Sequence, residues 1–180
     1  MTTPNTIRIH HILRHSNVNG PGDRFVVWTQ GCSLRCKGCF NPNTHDIMTG
    51  YNVDINELAN TINCTVDIRG ITLTGGEPLM QVDAISKLLS LINKNLDILL
   101  FSGYSFDEIR KDSRNLILLK KIDAALLGRY NNLLSHPFYG KKLVLSSNRI
   151  KKEELKPWLN TEIIIGDNNV QVTGLYKQAI

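Results

Sequence analysis

The chain has 180 residues, of which 42% are hydrophobic and 21% are charged, and its formal net charge is +5. This length and composition are typical of a single globular domain over residues 1–180, and they exclude both a disordered chain and a small fold that depends on disulfides. The longest apolar runs fall far short of the ~20 residues that span a bilayer, so we expect no membrane association. The basic residues are dispersed without interleaved stacking aromatics, so no nucleic-acid partner is expected.

The beginning of the sequence predicts two strands. Residues 1–19 contain polar and basic side chains throughout, which predicts a cytoplasmic protein in a reducing compartment. Within them, residues 6–14 alternate polar and apolar side chains as a strand does, and Arg24 to Gln30 form the next strand. His10 and His11 should point to opposite faces of the first strand, so we do not expect them to share a metal ion.

A loop with most of the cysteines follows the second predicted strand. Cys32, Cys36 and Cys39 have the spacing Cys-x3-Cys-x2-Cys, and Cys64 lies apart from them. Thiolates this close together can bind a tetrahedral metal ion, hold an iron–sulfur cluster or form disulfides, and a reducing compartment disfavours disulfides. A structural zinc ion would need a fourth ligand, such as His45 or Cys64. An iron–sulfur cluster on three thiolates would instead leave one iron open to a non-protein ligand. The residues alone favour the cluster and leave zinc open.

The middle of the chain alternates helix and strand patterns. A helix predicted over Ile55 to Cys64 makes Cys64 a buried helix residue and not a ligand. The β-branched run from Asp67 to Thr74 then leads into Gly75-Gly76-Glu77. Glycines at the end of a strand let a ligand approach the backbone closely, so this turn is a candidate binding segment. Another amphipathic helix is predicted over Gln81 to Asn93.

Three more strands are predicted over residues 96–101, 122–127 and 143–145, with a helix over residues 106–114 between the first two. Each of these strands ends in a cluster of small or polar residues. The clusters are Ser102-Gly103-Tyr104, Gly128-Arg129-Tyr130 and Ser146-Ser147-Asn148. Strands that end this way, with helices between most of them, predict a parallel α/β sheet whose functional edge lies at the carboxyl ends of the strands.

The last part of the sequence has a different pattern. Ile163 to Ile165 and Val170 to Val172 flank Gly166-Asp167-Asn168-Asn169, which predicts a small antiparallel hairpin. The pair Lys141-Lys142, before the last strand of the sheet, is interpreted as a solvated edge.

Several of these segments, in this order, resemble the radical S-adenosylmethionine (SAM) superfamily. Within it they are most similar to the activating enzymes of glycyl-radical proteins, in particular to the activases of the anaerobic, class III ribonucleotide reductase. The resemblance extends from about Ile7 to Ile150. It rests on the segments NGPGDRFVVWTQGC, CSLRCKGCFNP, ITLTGGEPLMQ, ILLFSGYSFDEI, IDAALLGRY and LSSNRI.

The resemblance implies a partial, open (β/α) barrel of the radical SAM type, followed here by the small C-terminal hairpin. It also implies one 4Fe-4S cluster on Cys32, Cys36 and Cys39, with SAM bound to the fourth iron. The residues that it assigns to SAM or to the active-site cavity are Gly38, Phe40, Gly75, Gly76, Glu77, Ser102, Arg129 and Asn148. Gly75 to Glu77 would contact the methionyl part of SAM, and the loop from Gly38 to Phe40 would pass near the adenine.

The activity implied by the resemblance is a radical reaction with no side chain of this protein as acid, base or nucleophile. An electron from a flavodoxin- or ferredoxin-type donor cleaves SAM, and the resulting 5′-deoxyadenosyl radical takes a hydrogen atom from a glycine of the partner glycyl-radical enzyme. The same motifs would serve a small radical SAM enzyme that modifies a ribosomal peptide or a small molecule such as a deazapurine precursor. A zinc-binding interaction module is the non-enzymatic alternative. Two positions depart from the family pattern: Leu127 stands where relatives often have an acidic residue, and Arg149 stands where a Gln commonly follows the Asn.

Overall fold

The computed structural model of the chain describes residues 4–134, 139–155, 161–165 and 170–174. Its main sheet has seven strands in the order β3-β1-β2-β4-β5-β6-β7. These strands are β1 (Thr6–Leu13), β2 (Arg24–Thr29), β3 (Tyr51–Asp54), β4 (Gly70–Gly75), β5 (Asp97–Ser102), β6 (Ala124–Leu127) and β7 (Lys142–Leu145). The helices are α1 (Ile55–Asn63), α2 (Val82–Leu91), α3 (Phe106–Ile109) and α4 (Ser113–Leu119), with short 3-10 turns at Pro42–Thr44, Pro78–Gln81 and Lys152–Glu154. The predicted α/β class is confirmed.

The centre of the sheet is parallel and its two edges are antiparallel. Strands β2, β4, β5 and β6 run in one direction, whereas β1 is antiparallel to both β2 and β3. Strand β7 is antiparallel to β6, with Leu127 paired with Lys142 and Ala124 paired with Leu145. The prediction that this strand continues the parallel series is therefore wrong. A parallel return normally needs a crossover helix, and residues 128–141 are rich in turn-forming Gly, Asn and Pro.

The two faces of the sheet are covered differently. Alternate residues of the central strands, such as Phe25, Ile71 and Leu100, are fully buried in the core cluster that includes α1, α2 and α4. The side chains on the other face of the sheet form a much smaller cluster, which includes Leu99 and Ile150. Among the described residues, this smaller cluster includes none from the four α-helices. Other residues of the same face, such as Trp28, Thr74 and Phe101, line a cavity.

Two helix predictions need correction. Asp54 caps α1 by accepting hydrogen bonds from the N–H groups of Asn56 and Glu57, but the helix ends at Asn63 and the Cys64 side chain is exposed. The predicted helix over residues 106–114 is two helices, because Asp112 accepts a hydrogen bond from the Arg114 N–H and begins α4. Only the start of that prediction holds: Ser105 and Glu108 form a reciprocal capping box on α3.

The predicted hairpin is present as β8 (Thr161–Ile165) paired antiparallel with β9 (Val170–Gly174). Its turn, residues 166–169, lies outside the described residues. The hairpin is joined to the loop after β1, since Ser16 donates to Glu162 over 2.7 Å and the Asn19 side chain donates to Thr173 over 2.9 Å. In the part of the chain that the structure describes, no helix has the length and apolarity needed to cross a membrane.

Candidate active site

The cysteine loop begins where β2 ends, at the carboxyl edge of the parallel strands. Gly31 donates its N–H to the Thr44 carbonyl over 2.8 Å, and Cys32 donates to the His45 carbonyl over 3.1 Å. The Gly31 carbonyl in turn accepts from the Glu77 N–H over 2.9 Å. The start of the loop is therefore fixed from two sides, by the segment that follows it and by the turn after β4.

All three thiols of this loop line one cavity of ≈ 350 Å³. Cys32 is buried, Cys36 and Cys39 are half-buried, and none of them forms a disulfide. Burial raises the pKa of the Cys32 and Cys39 thiols. A group that binds them as thiolates must therefore displace protons, and its positive charge would drive that exchange.

A single metal ion and an iron–sulfur cluster place different demands on the three thiols. Among the described residues, no group of three or more His, Cys, Asp or Glu side chains converges in a way that could hold one metal ion. Thiolates on an iron–sulfur cluster bind different iron atoms, so they surround the group without meeting at one point. His45 does not line the cavity, and Cys64 is exposed beyond α1, so neither proposed fourth zinc ligand joins the three thiols.

The Gly-Gly-Glu turn after β4 borders the same cavity. Gly75 has φ +103°, and a Cβ atom there would lie 2.6 Å from the Thr29 nitrogen. A Cβ atom at Gly76 would lie 2.4 Å from the Gly31 carbonyl oxygen. Both glycines are thus required for the close approach of this turn to β2 and to the cysteine loop.

Glu77 is the buried centre of this edge, with only 1% of its surface exposed. Its carboxylate accepts hydrogen bonds from the Leu79 N–H (3.0 Å), the Ser102 hydroxyl (2.8 Å) and the Gly103 N–H (2.7 Å). Burial raises the pKa of Glu77, and these three donors oppose that shift. The carboxylate therefore holds the end of β5 against the turn after β4.

Arg129 lies beside the cavity and not among the residues that line it. Its guanidinium donates to both carboxylate oxygens of Glu108, at 3.0 and 2.6 Å, and to the Gly103 carbonyl. It also lies 5.9 Å from the centre of the Tyr104 ring. This bidentate ion pair joins the end of β6 to α3.

The structure brings most of the predicted site residues together. Those that line the cavity are Cys32, Cys36, Cys39, Phe40, Gly75, Gly76, Glu77 and Ser102. Gly38 is exposed at the tip of the loop, with φ +66° and the Asn132 side chain against it. Asn148 is not at this edge at all: β7 runs opposite to β6, so the segment after Leu145 lies beside Asp123, where Ser146 donates its N–H to the Asp123 carbonyl. The expectation that Asn148 faces the cavity is corrected by the direction of β7.

Four residues line the cavity although the sequence analysis did not assign them to the site. Both His10 and His11 line the cavity, because the pairing of β1 with β2 shifts register between Ile9 and His11. Lys141, interpreted as part of a solvated edge, also lines it, and so does Thr173 of the hairpin. The turn-rich segment before Lys141 was the available signal that β7 returns antiparallel and begins at this edge.

Comparison with known proteins gives two kinds of match. The family model for the 4Fe-4S single cluster domain matches residues 18–152. The anaerobic ribonucleoside-triphosphate reductase-activating protein of Enterobacteria phage T4 is 37% identical over 125 residues, which are 65% of this chain and 77% of that protein. The protein of the same name from Vibrio cholerae serotype O1 is 31% identical over 123 residues, which are 63% of this chain and 77% of that protein.

A second group of relatives is matched over a shorter length. The pyruvate formate-lyase-activating enzyme of Listeria monocytogenes serovar 1/2a is 40% identical over 89 residues. These residues are 47% of this chain and 36% of that enzyme. The similarity to this group is thus confined to about half of the chain.

Proposed function

Because the chain belongs to the 4Fe-4S single cluster domain family, and with it to the radical SAM activating enzymes of glycyl-radical proteins, we propose that it activates an anaerobic ribonucleotide reductase. The reaction would be the removal of one hydrogen atom from a glycine of that partner. The observation that carries the proposal is the lining of one cavity by Cys32, Cys36 and Cys39 together with the Gly-Gly-Glu turn.

The roles of the residues follow from their positions. Cys32, Cys36 and Cys39 would hold the 4Fe-4S cluster, and SAM would occupy the cavity beside it. Reductive cleavage of SAM by such a cluster supplies a 5′-deoxyadenosyl radical, which is chemistry that no side chain can perform. The protein contributes position: Gly75 and Gly76 leave room for the methionyl part at the backbone, and Phe40 offers an apolar surface to the adenine.

The other proposed contacts differ in how directly the geometry supports them. The Glu77 carboxylate is already occupied by Leu79, Ser102 and Gly103, so Glu77 and Ser102 would shape the site and offer SAM their remaining surface. Gly38 would keep the loop tip close to the adenine without a side chain. Arg129 would reach the cavity only through its neighbours, since Glu108 engages its guanidinium.

The proposed fold around this reaction is the partial, open (β/α) barrel of the radical SAM type. Four parallel strands with helices packed on one face support this assignment, and the other face would be the inside of the barrel. An open barrel suits a protein substrate, because a loop that bears the target glycine can enter beside the sheet. We place the protein in the cytoplasm, with a flavodoxin- or ferredoxin-type donor as its source of electrons.

The test begins with anaerobic reconstitution, followed by incubation with SAM and a reductant. We expect about four iron and four sulfide per chain, release of 5′-deoxyadenosine, and a glycyl-radical doublet in the electron paramagnetic resonance spectrum once the partner reductase is added. Cys36→Ala should abolish all of these signals. Cys64→Ala is the matched control and should retain them, because its thiol is exposed and does not line the cavity.

Two outcomes would contradict the proposal. Cleavage of SAM without a protein radical in any glycyl-radical enzyme of the same genome would instead favour an enzyme that modifies a peptide or a small molecule. Stoichiometric zinc without iron or sulfide after reconstitution would favour the interaction module.

A further inference from the structure

The cavity contains a cation that the proposed reaction has not yet used. Lys141 is the one lysine or arginine among the described residues that line it. It immediately precedes β7, whose first residue, Lys142, pairs with Leu127 at the end of β6. The antiparallel return of β7 therefore brings Lys141 to the same edge of the sheet as the cysteine loop.

The ammonium group of Lys141 is held in place. It donates a hydrogen bond to the Gly128 carbonyl, and its side chain is partly buried. Burial lowers the pKa of Lys141, while the negative charges of Glu77, Cys36 and Cys39 oppose that shift. The neighbouring cation, Arg129, is neutralised by its ion pair with Glu108. Among the described residues, Lys141 forms no salt bridge, so its ammonium group lies at the cavity wall beside the thiols without a carboxylate paired to it.

Lys142 provides a natural comparison. It carries the same charge one residue away, but it is exposed and does not line the cavity. Its ammonium group lies 4.5 Å from the centre of the Phe106 ring. The two lysines therefore differ in where the charge is placed and not in the net charge of the protein.

We propose that Lys141 sets the reduction potential of the iron–sulfur cluster, by placing a fixed positive charge beside the thiolates that hold it. This inference rests on the proposed function, because it requires the cluster. In the step concerned, the donor loses one electron, the cluster gains it, and no proton is transferred. The reduced cluster carries one more negative charge than the oxidised cluster, so a nearby ammonium in a site removed from water stabilises the reduced form more than the oxidised form.

The experiment is a redox titration of the reconstituted protein without SAM, followed by electron paramagnetic resonance of the reduced cluster. Lys141→Gln removes the charge and keeps an N–H donor for the Gly128 carbonyl. We expect the ratio of reduced to oxidised cluster at a given potential to fall about tenfold, which lowers the midpoint potential by ~59 mV for one electron. Lys141→Arg should keep the wild-type potential, and Lys142→Gln, the matched control, should do the same.

The possible outcomes separate this inference from a purely structural role. If Lys141→Gln has the wild-type potential, or if Lys142→Gln shifts the potential as much, the inference is wrong. If Lys141→Gln cannot assemble a cluster whereas Lys141→Arg can, and both metal-free proteins unfold at the same temperature, Lys141 acts in cluster assembly and the inference that it sets the potential is wrong. SAM is absent from this titration, so the measured potentials do not depend on SAM cleavage. Cleavage of SAM by the wild-type protein is measured separately, and it tests the proposed function.

Discussion

The contact between Gly76 and the cysteine loop leaves no room for a single added carbon. A Cβ atom at Gly76 would meet the carbonyl oxygen of Gly31, the residue before Cys32, at 2.4 Å. Because backbone must move to relieve this clash, we expect Gly76→Ala to lower the free energy of unfolding by about 1–3 kcal/mol. The displaced loop should also hold less iron. Chemical denaturation of the metal-free protein and iron analysis after reconstitution measure the two effects.

Gly103→Ala is the control for this substitution. A Cβ atom at Gly103 would also meet a neighbour at 2.4 Å, but that neighbour is the terminal Cδ1 of Leu34, which can rotate away. Both variants reduce the entropy of the unfolded chain in the same way, so their difference reports the contact itself. Equal losses of stability in the two variants would show that the approach of Gly76 to Gly31 is not a tight constraint.

Local sequence patterns predicted the residues at the centre of the site. The residues that line the rest of the cavity depend on the pairing of strands that are distant in the sequence. Three thiols within eight consecutive residues, and two glycines at the end of a strand, are local patterns, so they could be predicted from the sequence. The position of Lys141 depends on the direction of β7, which is set by pairing with β6 and not by local propensity. The orientation of His10 depends on an irregularity in the pairing of β1 with β2, which alternation of polar and apolar residues cannot reveal.

Helix α3 is held at the edge of the site by an ion pair that should respond to acid. The Arg129 guanidinium, together with the N–H and hydroxyl of Ser105, lowers the pKa of Glu108 to about 2. A carboxyl whose pKa is lower in the folded state stabilises the fold above its unfolded pKa. This contribution should therefore be lost as the pH falls from about 4.5 to about 2.

The prediction concerns the difference between the wild type and Glu108→Gln. We expect the wild type to be more stable near neutral pH and this advantage to vanish as the pH approaches 2, as measured by urea denaturation at a series of pH values. Asp107→Asn is the control, because its carboxylate lies on the same helix and is 74% exposed in a local pair with Arg110. An advantage over Glu108→Gln that does not change with pH would contradict the assigned ion pair.

The sheet as a whole was predicted in class, in the positions of most strands and in the parallel direction of its central strands, but not in the antiparallel direction of β7. Buried apolar runs predict strands well because they report burial. The same apolar runs contain no information about the direction of a strand, and therefore none about the edge of the sheet at which it ends. For this reason the sequence predicted the hairpin of β8 and β9, but not that it lies against the loop after β1 and contributes Thr173 to the cavity.

The outer surface of the cysteine loop gives a prediction about the approach of the electron donor. Arg35 and Lys37 lie between the cysteines, are exposed, and form no ion pair within the described part of the chain. Neither lines the cavity, so the loop directs thiols inward and cations outward. An acidic donor protein that docks on these cations would lie directly beside the cysteine loop. We expect Arg35→Gln/Lys37→Gln to slow cluster reduction by a reduced flavodoxin about tenfold at low salt.

Two comparisons make this prediction specific. Reduction by a small photoreduced deazaflavin should be unchanged in the double variant, because it does not require docking of a protein. Lys94→Gln/Lys120→Gln removes the same charge from exposed residues that precede β5 and β6, at the opposite edge of the sheet. If this control slows cluster reduction by the flavodoxin to the same extent, the rate depends on the net charge of the protein and not on the location of the cations.

The hydrogen bond between Ser16 and Glu162 also has a consequence for the order of events during biosynthesis. It joins residues that are 146 positions apart, so the hairpin can cover its side of the cavity only after nearly all of the described chain has been made. At about 5–20 residues per second, the ribosome takes roughly 6–24 s to proceed from Cys39 to Thr161. The thiols therefore emerge from the ribosome well before the segment that covers their cavity on that side.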